Sequence, residues 1–217
     1  MTRREFFSGS LAAALARAAS RPRLLVPVHI VQDSAAKLGP RVLRYFWWTL
    51  WPEAVRDFGY CGIVMESTFQ QAEIWRPPGR QPMIGGLQAG ALNLVITNRI
   101  PMEWDSGRAL AGVTTLYRGF HVCMIAMDHA HGHQIPFLST NTCVHEMLHA
   151  LMHDIFENRP RGLAGQLREY RIDAYATRLW LFHDGAEIRR QAVDYVARLE
   201  KSKSALAGAS SVEGSAR

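Results

Sequence analysis

Cysteine is scarce in this sequence, and its spacing rules out the familiar cysteine-based zinc sites. Three cysteines occur among the 217 residues, at Cys61, Cys123 and Cys143, and no two of them form a C-x-x-C pair. A zinc site built on paired cysteines is therefore excluded. An oxidising compartment would permit one disulfide, whose pairing the sequence does not determine. We expect Cys143 to be a small residue of the core.

Long apolar runs, basic clusters and internal repeats are also missing. The first apolar stretch, Ser8–Ala16, is too short to cross a bilayer. No run of Lys or Arg interleaved with aromatic residues marks a nucleic-acid-binding face. With 48% hydrophobic and 20% charged residues, the chain suits one globular domain with a sizeable core, and it indicates no particular oligomeric state.

The first residues indicate a targeting segment. Arg3 and Arg4, one spacer and two phenylalanines resemble the twin-arginine export signal, and Ala16-Arg17-Ala18 offers an A-x-A cleavage site. On this interpretation residues 1–18 are a signal peptide, and the mature chain begins near Ala19 in the bacterial periplasm or outside the cell, without a membrane span. Loss of three Arg and one Glu lowers the formal net charge from +6 to +4, which indicates solubility or a mild surface preference. The alternatives are an amphipathic N-terminal helix of the domain and a cytosolic protein that keeps this segment.

One motif carries most of the chemical information. Residues 144–154 read V-H-E-M-L-H-A-L-M-H-D, which contains H-E-x-x-H with His145 and His149 four positions apart. On a helix these histidines lie within about 40° of each other and about 6 Å apart along the axis, so both imidazoles can reach one zinc ion. Glu146 is turned aside from the metal and can act as general base on a zinc-bound water. The alternative is a surface helix that carries two histidines and no metal.

Zinc needs a third protein ligand, and three residues are candidates. His153 continues the series, but on a straight helix it lies about 12 Å from His145 along the axis, and Asp154 is similarly remote. The metzincin pattern is not matched, because its third ligand would fall on Ile155. The last candidate is Glu169, in the helical stretch R-E-Y-R-I-D-A-Y-A.

The position of Glu169 resembles that of a ligand in the gluzincins, the thermolysin-like zinc peptidases. In that group H-E-x-x-H is followed after nineteen residues by an E-x-x-x-D helix, and nineteen residues separate His149 from Glu169 here, with Asp173 four positions further on. The resemblance implies that His145, His149 and Glu169 bind one zinc ion per chain and that Glu146 is the base. It also implies that Asp173 hydrogen-bonds a ligand imidazole and fixes its tautomer. The alternative for Glu169 and Asp173 is an exposed acidic edge among arginines.

The remaining pattern predicts a small mixed sheet. Apolar, β-branched runs predict strands at Leu24–Val31, Tyr60–Glu66, Ala91–Thr97, Gly112–Tyr117 and Phe120–Met127. Pro27 in the first strand indicates a sheet edge or a bulge. Residues 74–90 contain several Gly and Pro and predict a long loop that could border a cleft.

Three helical regions accompany these strands. An aromatic-rich helix is predicted from Arg41 to about Phe58, with an interruption before Pro52. The motif helix begins at one of the capping residues 139–142 and ends before Pro160. Residues 186–201 form an amphipathic helix.

The resemblance implies an α+β, zincin-like fold for residues 19–201. A small mixed sheet of four to five strands packs on the N-terminal helix and the motif helix, and C-terminal helices follow. In that fold the strand nearest the motif helix is an open edge. Phe120–Met127 would be that strand, able to hold an extended peptide. Residues 202–217, rich in Ser, Ala and Gly, predict a disordered tail.

These patterns together predict a small exported zinc metallopeptidase that acts on a peptide or protein substrate. The developing oxyanion needs a further donor, and Tyr170, Tyr175 and His183 are open candidates. The family's C-terminal subdomain has no obvious counterpart in the 48 residues after Glu169. The histidine-rich stretch at 129–133 could bind a second metal, or it is a polar loop near the substrate. The rival function is a non-catalytic zinc-binding or interaction module that keeps the zinc helices as a scaffold.

Overall fold

Five strands form one mixed, mostly parallel sheet. The computed structural model describes residues 23–75, 83–98, 100, 111–127, 141–152, 167, 169, 172, 173, 175, 176 and 178–213. In these residues the sheet strands are β1 (Leu24–Asp33), β2 (Ile63–Ala72), β5 (Leu92–Thr97), β6 (Gly112–Tyr117) and β7 (Phe120–Ala126). The two-residue strands β3 (Ile74–Trp75) and β4 (Met83–Ile84) form a separate antiparallel pair. The order in the sheet is β2-β1-β5-β7-β6, and only β6 is antiparallel to its neighbour. The predicted α+β class and all five predicted strands are confirmed.

Two strands differ in detail from the sequence prediction. β1 is paired on both sides, so Pro27 does not mark an edge strand. The pairing of β1 with β5 begins at Val28, so Pro27, which has no backbone N–H, lies just outside the β1–β5 ladder. β2 continues six residues beyond the predicted end at Glu66, because its polar second half pairs with β1 as far as Ala72.

The open edge beside the motif helix is β6, and the placement of Phe120–Met127 at that edge was wrong. In the structure β7 lies between β5 and β6 and pairs with both. Strand order along the chain does not give order in the sheet: β6 and β7 form a hairpin whose first strand lies outside. The turn between them consists of Arg118 and Gly119, with positive φ values of 50° and 84°. Such values suit a two-residue hairpin turn.

The described helices cover one face of the sheet. They are α1 (Pro40–Tyr45), a π-helical turn (Phe46–Leu50), α2 (Trp51–Tyr60), α3 (Thr142–Leu151) and α4 (Arg178–Glu213). Helix α3, which carries the motif, packs on β6 and β7 and contacts α2 and α4. The apolar core between sheet and helices includes Cys61, Cys123 and Cys143, all buried free thiols. Of the helices that the structure describes, none has the length and apolarity needed to cross a membrane.

Two predicted helix ends were wrong. Helix α4 continues to Glu213, so the prediction of a disordered tail from residue 202 does not hold for 202–213; residues 214–217 lie outside the described part. This stretch contains one glycine, Gly208, and no proline, so nothing in it must break the helix. Helix α3 ends at Leu151 rather than before Pro160, since Met152 has φ −92° and ψ 62°. His153 and Asp154 lie outside the described residues.

A single side chain, Asn141, fixes the start of the motif helix. Its Oδ1 accepts hydrogen bonds from the backbone N–H groups of Cys143 at 2.9 Å and Val144 at 3.3 Å, which caps α3. Its Nδ2 donates to the carbonyl oxygen of Leu50 at 2.8 Å. Leu50 ends the π-helical turn, which occupies the interruption predicted before Pro52. Asn141 therefore joins the aromatic-rich helix to α3.

Replacement of Asn141 by Ala should lower the free energy of unfolding by about 2 kcal/mol, because α3 loses its cap and the buried Leu50 carbonyl loses its donor. Asn141→Ser keeps the cap but not the longer contact and should lose about half as much. Urea unfolding of the purified variants measures both. Ser204→Ala, which removes an exposed hydroxyl bonded to the Glu200 carbonyl, is the control and should change little. An unchanged stability of Asn141→Ala would contradict this role.

Candidate metal centre

Helix α3 brings the imidazoles of the two motif histidines together. Every residue of this helix is buried except Thr142 and His145, which are partly exposed. The imidazole centroids of His145 and His149 lie 4.7 Å apart with 69° between their planes. Their Nε2 atoms are 3.0 Å apart. The four-residue spacing thus places both Nε2 atoms at one point, as the motif predicts.

Glu169 reaches the same point from a separate helical segment. Its Oε2 lies 3.2 Å from Nε2 of His149 and 3.5 Å from Nε2 of His145. The described residues around it are helical. Three of them, Ile172, Tyr175 and Ala176, are buried in the core. Glu169 and Asp173, one turn apart, face the histidines instead. Burial of one side of this segment therefore directs the other side toward α3.

The three ligand atoms fit a tetrahedral zinc ion. Bonds of about 2.0–2.1 Å at tetrahedral angles separate ligand atoms by about 3.3–3.4 Å. The separations here are 3.0, 3.2 and 3.5 Å. This trio is the group of potential ligands that the described residues bring together. Two imidazoles and one carboxylate also match the donor set of catalytic zinc sites.

Asp173 determines which nitrogen of His145 faces the cluster. Its Oδ1 lies 2.8 Å from Nδ1 of His145. A carboxylate only accepts hydrogen bonds, so Nδ1 carries a proton and Nε2 is the nitrogen that faces Glu169 and His149. In the metal-free protein Nε2 is also protonated, because it lies beside the Glu169 carboxylate. A metal ion in this place would replace that proton and bind the lone pair of Nε2.

The charges of the cluster shift two pKa values strongly. Burial opposes protonation of His145, but the hydrogen bonds to Asp173 and Glu169 outweigh it and raise the pKa of His145 to about 10. Hydrogen bonds from His145 and His149 hold the pKa of the Glu169 carboxyl far below its usual range. The metal-free cluster is therefore an ion pair at neutral pH.

Glu146 lies deeper than the ligands and touches the edge strand. It is 5% exposed, and its Oε2 accepts a hydrogen bond from the Thr114 hydroxyl at 2.6 Å. Burial raises the pKa of Glu146, although His145, His149 and the Thr114 hydroxyl act in the opposite direction. The carboxylate is therefore within electrostatic range of both histidines.

Sequence reasoning missed two residues of β6, Thr114 and Gly112. A Cβ atom placed on Gly112 would lie 2.5 Å from Oε1 of Glu146, so the strand leaves room for this carboxylate. Neither residue belongs to a motif, because only the packing of β6 on α3 brings them to Glu146. The one available signal was a glycine at the start of a strand, which often marks a close approach of another group.

Of the other candidate residues, the structure describes the surroundings of Tyr175. Tyr175 is 6% exposed and packs in the apolar core. His183 lies on α4, where the structure describes the helix but not this side chain. Tyr170 and the histidines at 129–133 lie outside the described residues, so their roles stay predictions. The structure shows no disulfide: Cys143 is a buried core thiol, as predicted, and burial raises its pKa to about 12.

In comparisons with known proteins, no family model, no curated protein and no solved structure matches this chain.

Zinc binding at pH 7.5 should release about one proton per ion. Zinc binds only the neutral imidazole, whereas the pKa of His145 in the metal-free protein is about 10. Calorimetric titration in two buffers of different ionisation enthalpy counts the protons. Asp173→Asn should release fewer, because the protonated imidazole loses its partner. The control Glu200→Gln, on the exposed surface of α4, should match the parent. Zinc binding without proton release in the parent would contradict this protonation state.

Glu146→Gln should stabilise the metal-free protein. Because the folded-state pKa of Glu146 lies above its value in the unfolded chain, the ionised side chain destabilises the fold at pH 8, and this cost falls as the pH falls through the folded pKa. The neutral amide removes that cost, for an expected gain of about 1 kcal/mol, or about 2–4 °C in Tm. Thermal unfolding at pH 8 and pH 5 measures it, and the gain should be smaller at pH 5. A larger gain at pH 5 would contradict the raised pKa.

Proposed function

We propose that this chain is a zinc-dependent peptidase of the zincin type. The observation that carries the proposal is the meeting of His145, His149 and Glu169 within 3.5 Å of one another, with Glu146 beside them. Glu169 comes from a segment well separated from the motif in the sequence, so the meeting is a tertiary arrangement and not a consequence of helical spacing. The Asp173 contact adds the partner that a zinc-bound imidazole usually has.

The surroundings of α3 also support a zincin-type fold. The motif helix packs under a mixed sheet, and the strand beside it is an antiparallel edge, β6. An open edge next to the cluster can bind an extended peptide through backbone hydrogen bonds. A peptide or protein is therefore the substrate class that we propose.

Each residue of the cluster has a chemical role in this proposal. A bound zinc ion would acidify a water molecule and polarise the scissile carbonyl. His145, His149 and Glu169 hold that ion, and Asp173 keeps the Nδ1 proton that turns Nε2 of His145 toward it. Glu146 takes a proton from the attacking water and delivers it to the leaving amine. Its raised pKa suits a base that must also return the proton. An oxyanion donor among Tyr170, Tyr175 and His183 stays a prediction.

Export by the twin-arginine route and a periplasmic location belong to the same proposal. Residues 1–22 lie outside the described part of the chain, so these points rest on the sequence. N-terminal sequencing of the exported protein would test the cleavage near Ala19.

Metal content and turnover together test the proposed function. The protein lacking residues 1–18 should contain one zinc per chain by mass spectrometry, and Glu169→Ala should retain it much more weakly. Glu146→Gln should keep the zinc but lose about 10²–10⁴-fold in peptide hydrolysis, which is the usual contribution of a general base. A peptide library serves as substrate, and Glu200→Ala on α4 is the control for both measurements.

The outcomes separate the proposal from its rivals. Zinc in the parent without Glu146-dependent hydrolysis of any library peptide would indicate a non-catalytic zinc-binding module. Equal zinc retention in Glu169→Ala would remove Glu169 from the ligand set. No zinc in the parent after remetallation would leave a helix that carries two histidines and no metal.

A further inference from the structure

The edge strand β6 presents two residues, Gly112 and Thr114, to the proposed base Glu146. Gly112 and Thr114 are two positions apart, so they lie on the same face of β6, the face that packs on α3. Gly112 leaves space for the Glu146 side chain, and the Thr114 hydroxyl contacts Glu146 and, at 3.4 Å, Sγ of Cys123 on β7. This pair of residues is called the β6 cradle below.

Gly112 contributes to the cradle by having no side chain, which leaves space for the carboxylate of Glu146. A Cβ atom at this position would stand 2.5 Å from Oε1, 2.6 Å from Cγ and 2.7 Å from Cδ of Glu146. Real Cβ contacts do not occur at such distances, so any other residue would displace the carboxylate. Gly112 is not among the glycines with positive φ, so its absent side chain, and not an unusual backbone, is what the site uses.

Thr114 contributes to the cradle through its hydroxyl, which contacts two oxygen atoms of Glu146. The Thr114 hydroxyl lies 2.6 Å from Oε2 of Glu146 and 2.8 Å from the backbone carbonyl oxygen of Glu146. Contact with both ends of the residue fixes the torsion angles of the side chain between them. The hydroxyl thus supplies this buried carboxylate with a hydrogen-bond donor that an apolar side chain at position 114 would not supply.

We propose that Gly112 and Thr114 are positioning residues that hold the Glu146 carboxylate in the orientation from which it acts on the attacking water. This inference rests on the proposed function, because it assigns the cradle a part in that reaction. It makes the edge strand part of the catalytic arrangement and not only a surface for the substrate. A side chain held within about 0.5 Å of its working position acts as a far better base than one that must be reoriented in each turnover.

Turnover tests the Thr114 half with three variants of the zinc-loaded protein. Thr114→Val keeps the shape but not the hydroxyl, and it should lower kcat at least tenfold with unchanged zinc content and a KM within about twofold. Thr114→Ser restores the hydroxyl and should recover most of the loss. Ser204→Ala, which removes an exposed hydroxyl on α4, is the control and should retain the parental kcat. A Thr114→Val enzyme with parental kcat, or no recovery in Thr114→Ser, would overturn the role of Thr114.

Stability tests the Gly112 half without any need for activity. Gly112→Ala should lower the urea midpoint in the parent, because the added Cβ displaces Glu146. In a Glu146→Ala background the space is vacant, so the same change should shift the midpoint by less than half as much. An equal shift in both backgrounds would overturn the contact. If the parent shows no Glu146-dependent hydrolysis, the proposed function fails by itself, and this double-variant comparison still decides whether the cradle exists.

Discussion

Burial of the polar face of α3 is the constraint on which the rest of the site depends. The helix is covered by the sheet, by α2 and by α4, and Glu146 and His149 are buried along with its apolar residues. Buried ionisable groups are costly unless each has a partner. The neighbouring elements supply those partners: β6 provides Thr114, and the segment around Glu169 provides two carboxylates. The polar groups of this buried helix therefore receive their partners from two sides, from β6 and from the segment around Glu169.

The convergence of His145 and His149 could be predicted from the sequence because its information is local. Two histidines four apart need only a helix to converge, and Asn141 among the predicted capping residues is the one that starts it. Glu169 and Asp173 were predicted through the resemblance to the gluzincin pattern, in which an E-x-x-x-D helix follows H-E-x-x-H after nineteen residues. Apolar periodicity was sufficient for the five strands, since a buried strand requires a β-branched or leucine-rich run wherever it lies in the sheet.

The missed features depend on contacts between distant parts of the chain. Nothing in the sequence near β6 indicates that Gly112 would meet the carboxylate of Glu146, because only the hairpin and the packing of α3 determine it. For the same reason, the sequence prediction assigned the open edge to β7 instead of β6. Helix ends were misjudged for a different reason: α3 stops at Leu151 without a Gly or Pro to signal it, and α4 extends through a stretch whose serines and glycines suggested disorder.

The short turn between β6 and β7 governs the site from a distance. Arg118 and Gly119 close the hairpin with Tyr117 opposite Phe120, and this register continues to Thr114 opposite Cys123. Side chains alternate along a strand, so a slip of one residue would exchange Thr114 for a neighbour that faces away from α3. Length variation in this turn is therefore not neutral, although the turn lies at the far end of the hairpin from Gly112. An insertion of one residue there would turn the side chains of β6 that face α3 away from Glu146.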